Sequence, residues 1–283
     1  MNQAKESIAA ALFLLAAFLS VFSVLLICLF LFVNGIPAIA EIGPLAFLSG
    51  VNWQPGNGLY GIAPMMLGSL YITAGAILAG VPAGVLTAVF MAEFCPERLL
   101  RVLRPAVSLL AGIPSVVYGF FGLMLMVPLS RFFFGGSGKS ILTASLLLGV
   151  MILPTVVTVS EAALRAVPRS YYEGALALGA THETAVFFVL LPGAKSGIMA
   201  GVILGTGRAV GETMAVIMVA GNQAVLPDSL FHGVRTLTAN IVLEMGYAAD
   251  LHREALIATA AILFVFLLLV NVSFSIVKER RQT

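Results

Sequence analysis

Arg208 and Glu212 form the one ionisable pair in the middle of an otherwise apolar stretch, Gly197 to Gly221. Arg208 is the twelfth residue of that stretch. At 1.5 Å per residue that is about 16–18 Å in, near the middle of a hydrocarbon core about 30 Å thick. A charge at that depth costs on the order of 2.5–3.5 kcal/mol for Arg even on lenient scales, so it persists only beside a water-filled path, a partner group or a charged substrate. A spacing of four places both side chains on one face of a continuous helix, where each would neutralise the other. The chemistry on offer is recognition of an anion, and the alternative is a buried pair that bridges helices without touching a substrate. The guanidinium fork matches such an ion bidentately, and a carboxylate one turn away would temper the grip.

Other patterns carry less. Gly135-Gly136-Ser137-Gly138-Lys139-Ser140 ends like a P-loop, but the position five residues before Gly138 is Phe133 instead of Gly, and no strand precedes it. Gly205 to Gly211 misses the GxGxxG spacing by one residue. Gly197, Gly201 and Gly205, like Gly80 and Gly84, recur every four residues, which is the small-xxx-small pattern of closely packed membrane helices. His182, His232 and His252 share no metal-ligand spacing, and no HExxH or GxSxG occurs, so no catalytic residue, metal or cofactor is expected on this chain. Pro114, Ser115, Tyr118 and Gly119, with Gly122 and Pro128 beyond them, interrupt the third apolar segment. Such a break either kinks a packing helix or lines a path.

The elements that must position these residues follow from composition. Of the 283 residues, 60% are hydrophobic and only 10% charged, with a mean hydropathy of +1.07. Soluble domains carry roughly 25% charge. The class is therefore an all-α, polytopic membrane protein, with no sign of a nucleic-acid partner. Six apolar runs, 9–33, 62–92, 105–129, 141–160, 197–221 and 255–277, each reach the roughly 20 residues a spanning helix needs. Ala38-Ile39-Ala40 looks like a leader cleavage site, but the run before it exceeds the roughly 7–15 residues of a signal h-region, so the reading is a retained helix. With the N-terminus inside, ten Lys and Arg fall in inner segments and four in outer ones, which favours both termini in the cytoplasm. Cys28 lies in a span and Cys95 beside an inner loop, so no disulfide is expected. Residues 34–61, with Trp53, are expected to rest on the membrane surface, and 222–254 to form a polar, acidic outer loop.

The inner loop between the fourth and fifth spans reads as two helices. Pro168 suits a helix start and Gly179 the left-handed residue that stops one. Thr181 then caps a second helix with Glu183 in its first turn, and Leu191-Pro192 ends it. Mixed apolar and polar, the pair suits docking into a groove on another protein.

At these residues a family resemblance emerges. Glu173-Gly174-Ala175, Gly179 and Val189-Leu190-Leu191-Pro192 resemble the EAA loop of bacterial ABC-importer permeases, with Gly174 and Val189 as mild departures. Tyr60–Leu70, Ala111–Leu123, Ile152–Thr155, Ser160–Pro168 and Gly207–Val216 with Ala220-Gly221-Asn222 are similar to phosphate-importer permeases of the PstC type. The resemblance implies a type I, MetI-like permease fold in a bacterial cytoplasmic membrane. Residues 1–61 would form an N-terminal helix and outer loop, and 62–283 a permease core with the coupling loop at about 162–196. It implies that Glu173, Gly174, Ala175, Gly179, Leu191 and Pro192 couple to an ATPase, and that Arg208 and Glu212 lie on a path for inorganic phosphate. The partners it implies are a PstA-type permease, a PstB-type ATPase dimer holding the ATP and magnesium, and an external PstS-type phosphate-binding protein. Residues alone leave open a permease for another oxyanion, such as molybdate or sulfate, or a membrane scaffold.

Overall fold

The computed structural model describes residues 2–279. Helix α1 (Asn2–Ile42) leads through α2 (Pro44–Ser49) to a small hairpin, β1 (Trp53–Gln54) and β2 (Leu59–Tyr60), with Trp53 opposite Tyr60. Helix α3 (Ala63–Val89) ends in a wide π-type turn, Phe90–Phe94. Next come α4 (Glu97–Gly112), α5 (Ser115–Phe121), a second wide turn at Gly122–Met126, and α6 (Val127–Phe134). Helix α7 (Ile141–Arg165) precedes the loop helices α8 (Arg169–Ala177) and α9 (His182–Ala185). A third wide turn, Val186–Leu190, leads to α10 (Leu191–Gly193), α11 (Lys195–Gly211), α12 (Met214–Val219), α13 (Leu237–Glu244) and α14 (Asp250–Glu279).

Among the described residues, five helical stretches are long and apolar enough to cross a membrane: Ala9–Ile42, Ala63–Phe94, Ser115–Phe134, Ile141–Arg165 and Asp250–Ser273. The pair His182–Gly193 and Lys195–Gly211, bent by 66°, supplies a sixth. The all-α, six-crossing architecture is the one expected, but three boundaries move. The first crossing continues to Ile42, because Gly43, at φ +95, is the first residue to leave the helical spiral. The third begins at Ser115 instead of 105, because Arg98, Arg101 and Arg104 leave Glu97–Gly112 as a separate amphipathic helix. The fifth is not one helix from 197 to 221, since α11 stops at Gly211 and the chain turns extended at Glu212.

Small residues hold the centre together. Between lipid-soluble helices there is little hydrophobic drive, so close van der Waals packing has to supply the attraction. A Cβ added at Gly80 would lie 2.6 Å from the Gly149 carbonyl oxygen, and one at Gly84 would lie 2.8 Å from Val156. The same face of α7 receives α11, where Gly201 abuts Val159 and Gly205 abuts Val156, with Gly197 against Ala163. These glycines seam α3, α7 and α11 into one block around Ile72, Ala76, Leu148 and Ile152. The seam also sets depth. Helices α7 and α11 run antiparallel in that register, so the next turn carries Arg208 to the level of Ile152, midway along α7. The N-terminal helix packs separately, with Ala38 buried among Ala255, Leu256 and Ala258 of α14.

Gly80→Val should overpack the seam and destabilise the protein by about 1–3 kcal/mol. A lowered melting temperature and loss of monodispersity in detergent would show it, whereas Gly174→Ala, where a Cβ meets nothing within 4 Å, should be silent in the same assay.

Candidate functional site

Arg208 sits half-buried in the last turn of α11, where the free carbonyl end of the helix favours a cation. Glu212 does not share its face. It is the C-cap, at φ −71 and ψ 131, and its carboxylate turns away to accept a hydrogen bond from Ala215 N at 3.2 Å, capping α12. Its carbonyl accepts from Thr238 Oγ1 at 3.1 Å. Among the described residues no ion pair joins Arg208 to Glu212. The expected i,i+4 pairing required a continuous helix, and Gly207 and Gly211 weaken that segment at the point where it ends.

A second break lies against the first. Pro114 caps α5 in an extended conformation, and half-buried Ser115 opens the helix. Tyr118 OH reaches back across the gap to donate to Leu110 O at 2.8 Å, and Tyr118 shares a buried cluster with Ala209, the residue after Arg208, and with Ala215. Gly119 admits α12, since a Cβ there would sit 2.9 Å from Ala215 Cα. The sequence-predicted set Arg208, Glu212, Pro114, Ser115, Tyr118 and Gly119 therefore gathers where α11 ends and α5 and α12 begin. The first turn of α13 joins them through Thr238. Helix ends inside a bilayer expose N–H and C=O groups that no lipid can satisfy. Together with one guanidinium they can replace the hydration of an anion.

The loop helices form as expected. Gly179 takes φ +89, with Gly179 N donating to Leu176 O at 2.9 Å and Ala180 N to Ala175 O at 3.1 Å, the two bonds of a Schellman stop. Thr181 Oγ1 accepts from Thr184 N at 3.3 Å, capping α9. Glu173 and Gly174 are exposed, Ala175 is half-buried, and Leu178 is 92% exposed at the tip. Leu191 and Pro192 do not end the second helix, which runs on to Gly193 before the bend. Tyr172 OH on His182 Nδ1 at 2.9 Å joins the two loop helices, and Arg169 on Glu93 at 3.3 Å ties the loop to the body.

Two polar clusters escaped sequence reading. Glu161 receives Arg104 at 2.7 Å and Arg165 at 2.9 Å. Its i,i+4 spacing to Arg165 was a readable signal, hidden because 161 fell just past the apolar run. At the other end of the molecule, buried Glu244 accepts from Arg235 at 2.6 Å and Trp53 Nε1 at 2.8 Å, with His252 Nε2 at 2.9 Å. This corrects two expectations. Trp53 is buried in protein instead of resting on lipid, and 222–254 is not simply a solvated acidic loop, since it folds back so that Leu237 N reaches Ser69 Oγ at 2.9 Å. A bond spanning 191 residues leaves no local trace in sequence.

Comparison with known proteins gives a consistent result. Residues 80–282 match the family described as binding-protein-dependent transport system inner membrane component. A probable ABC transporter permease protein, YqgH of Bacillus subtilis, is 42% identical over 78% of this chain and 73% of its own length. The phosphate transport system permease protein PstC of Mesorhizobium japonicum is 36% identical over 85% and 80%. Among solved structures, an inward-facing MetNI methionine ABC transporter chain aligns with a TM-score of 0.64 over 81% of this chain and 99% of its own, at 20% identity. That likeness bears on the fold, which is the MetI-like permease fold.

Because the Glu212 carboxylate serves as a cap, Glu212→Gln should keep the Ala215 bond and the melting temperature. Glu212→Leu should lose about 1 kcal/mol. Equal melting temperatures for the two variants in detergent would contradict the capping role.

Proposed function

The chain belongs to the inner-membrane components of binding-protein-dependent transport systems and is a membrane-spanning permease subunit of an ABC importer; we propose that its cargo is inorganic phosphate, met in mid-membrane by Arg208. The observation that carries this reading is a guanidinium at the end of α11, level with the midpoint of α7 and beside two broken helices, with no carboxylate paired to it among the described residues. Phosphate near neutral pH carries one to two negative charges and a firm hydration shell. Arg208 would take two of its oxygens, while helix-end N–H groups replace water. The 36% identity to a PstC protein supports phosphate over other oxyanions.

Glu212 does not tether Arg208 directly in this arrangement. Held one residue beyond the helix end, it keeps α12 in place and lends a negative potential that limits how tightly an anion is gripped, so that the site can release as well as bind. The exposed face of α4 and α5, including Val102, Leu109, Val116 and Phe120, fits a second permease of the PstA type, which would close the path. The excess of Lys and Arg on the α8 side supports an orientation with both termini and α8 in the cytoplasm. There Glu173, Gly174, Ala175 and Gly179, braced by Leu191 and Pro192, would dock on a PstB-type ATPase dimer that carries the ATP and magnesium. A PstS-type binding protein would deliver phosphate at the opposite face. ATPase closure then moves α8, and through the bend at Ala194 moves α11 and its charge.

In proteoliposomes holding the complete transporter, Arg208→Gln should cut radiolabelled phosphate uptake about a hundredfold, the scale of a lost charge-assisted contact, with assembly intact. Uptake at the native rate refutes the substrate role, and suppression of native uptake by equimolar sulfate or molybdate refutes phosphate as the cargo. Gly179→Val forces a β-branched residue into φ +89 and should abolish uptake while phosphate-free ATP hydrolysis persists or the ATPase fails to co-purify. Native coupling in that variant would remove the loop from the mechanism.

A further inference from the structure

Helix α4 connects the Pro114 break to a second charged pocket. A cleft of about 270 Å³ opens between α4 and α7, lined among others by Arg104, Ser108, Thr158, Glu161 and Arg165. The Glu161 side chain is 10% exposed, whereas those of Arg104 and Arg165 are 49% and 38% exposed. A single oxygen, Glu161 Oε1, takes Arg104 Nε at 3.0 Å, Arg104 Nη2 at 2.7 Å and Arg165 Nε at 2.9 Å. Arg165 Nη2 donates to Met91 O at 3.0 Å. Each guanidinium has five N–H groups, so both keep donors free at the cleft. Two cations on one carboxylate leave a net positive charge, with two hydroxyls alongside. Nine residues of α7 separate Glu161 from the level of Arg208, about 13–14 Å toward the coupling loop.

We propose that this cleft is a second oxyanion station, which receives phosphate after Arg208 and holds it before release on the cytoplasmic side. The inference rests on the transport reading above. Glu161 sets the hold: it offsets one guanidinium and keeps both arginines aimed, so the site binds a phosphate without trapping it. A phosphate-bearing lipid headgroup offers the same oxygens, and the test separates the two sources.

The complete transporter is labelled with phenylglyoxal and modification of Arg104 is mapped by mass spectrometry, with inorganic phosphate or chloride at equal ionic strength. A parallel arm uses phosphate-free micelles with phosphatidylglycerol. Inorganic phosphate should protect Arg104 where chloride does not. Glu161→Gln should lower the protecting concentration about tenfold and Arg165→Gln should raise it about tenfold, as expected for adding or removing one unit of net positive charge. Arg104→Gln should slow uptake severalfold without changing the external phosphate concentration at half-saturation. No protection by phosphate, protection by phosphatidylglycerol alone, or shifts of the same sign in the two variants would overturn the proposal, since a purely structural clamp predicts parallel damage. Protection at Arg104 should survive in Arg208→Gln. A normal uptake rate in that variant refutes the Arg208 reading while leaving the labelling result at Arg104 to be judged separately.

Discussion

Everything near the centre of this protein depends on one constraint: a backbone polar group at bilayer depth must find a partner inside the protein. The chain breaks its helices twice, at Ile113-Pro114 where the third crossing begins and at Glu212-Thr213, and packs the helices that follow, α5 and α12, against each other. Several of the loose ends are satisfied within the protein. Tyr118 spans the first gap to Leu110, the Glu212 side chain caps α12, and Thr238 satisfies the Glu212 carbonyl. Among the described residues, no ion pair uses the Arg208 guanidinium at the junction. A structural ion pair would have consumed it, and the break in the helix prevents that pairing.

The glycine seams make such a junction affordable. Helices α3, α7 and α11 approach closely enough that a single added methyl would strike backbone or side chain at Gly80, Gly84 or Gly205. A block packed in that way behaves as one body, so displacement of the loop helices at one end is carried to the level of Arg208 instead of being absorbed on the way. At the opposite end Glu244 draws together residues from the hairpin, from the segment before α13 and from the first turn of α14 by hydrogen bonds.

Much of this was legible in the sequence, for identifiable reasons. Six crossings follow from run length, and the Gly197, Gly201 and Gly205 seam from its period of four. The loop stop at Gly179 and the cap at Thr181 follow from local chemistry that needs no tertiary context. The break at Glu212 was missed because hydropathy sees Gly197–Gly221 as one apolar run, and a run cannot report where its hydrogen-bond ladder ends. Trp53 was misread for a related reason. An indole suits a membrane interface and a buried carboxylate equally well, and its partner Glu244 lies 191 residues away. The Glu161 cluster was missed because an acid at the edge of a span looks like the start of a loop.

The three wide turns, Phe90–Phe94, Gly122–Met126 and Val186–Leu190, have a further geometric result. Each inserts one residue beyond what an α spiral of the same rise would hold, so everything after it is rotated by about 100° relative to an uninterrupted helix. A helical wheel drawn straight through such a segment assigns its second half to the wrong neighbour. Before the Val186 turn the helix presents His182 to Phe94 and Tyr172, and after the turn and the bend Ile198 joins the cluster that holds Leu164 and Val167. Val186 and Leu190 lie in that same cluster and Phe94 and Tyr172 pack against it, so the extra residue and the bend keep one stretch of chain on a single wall from the loop into the bundle.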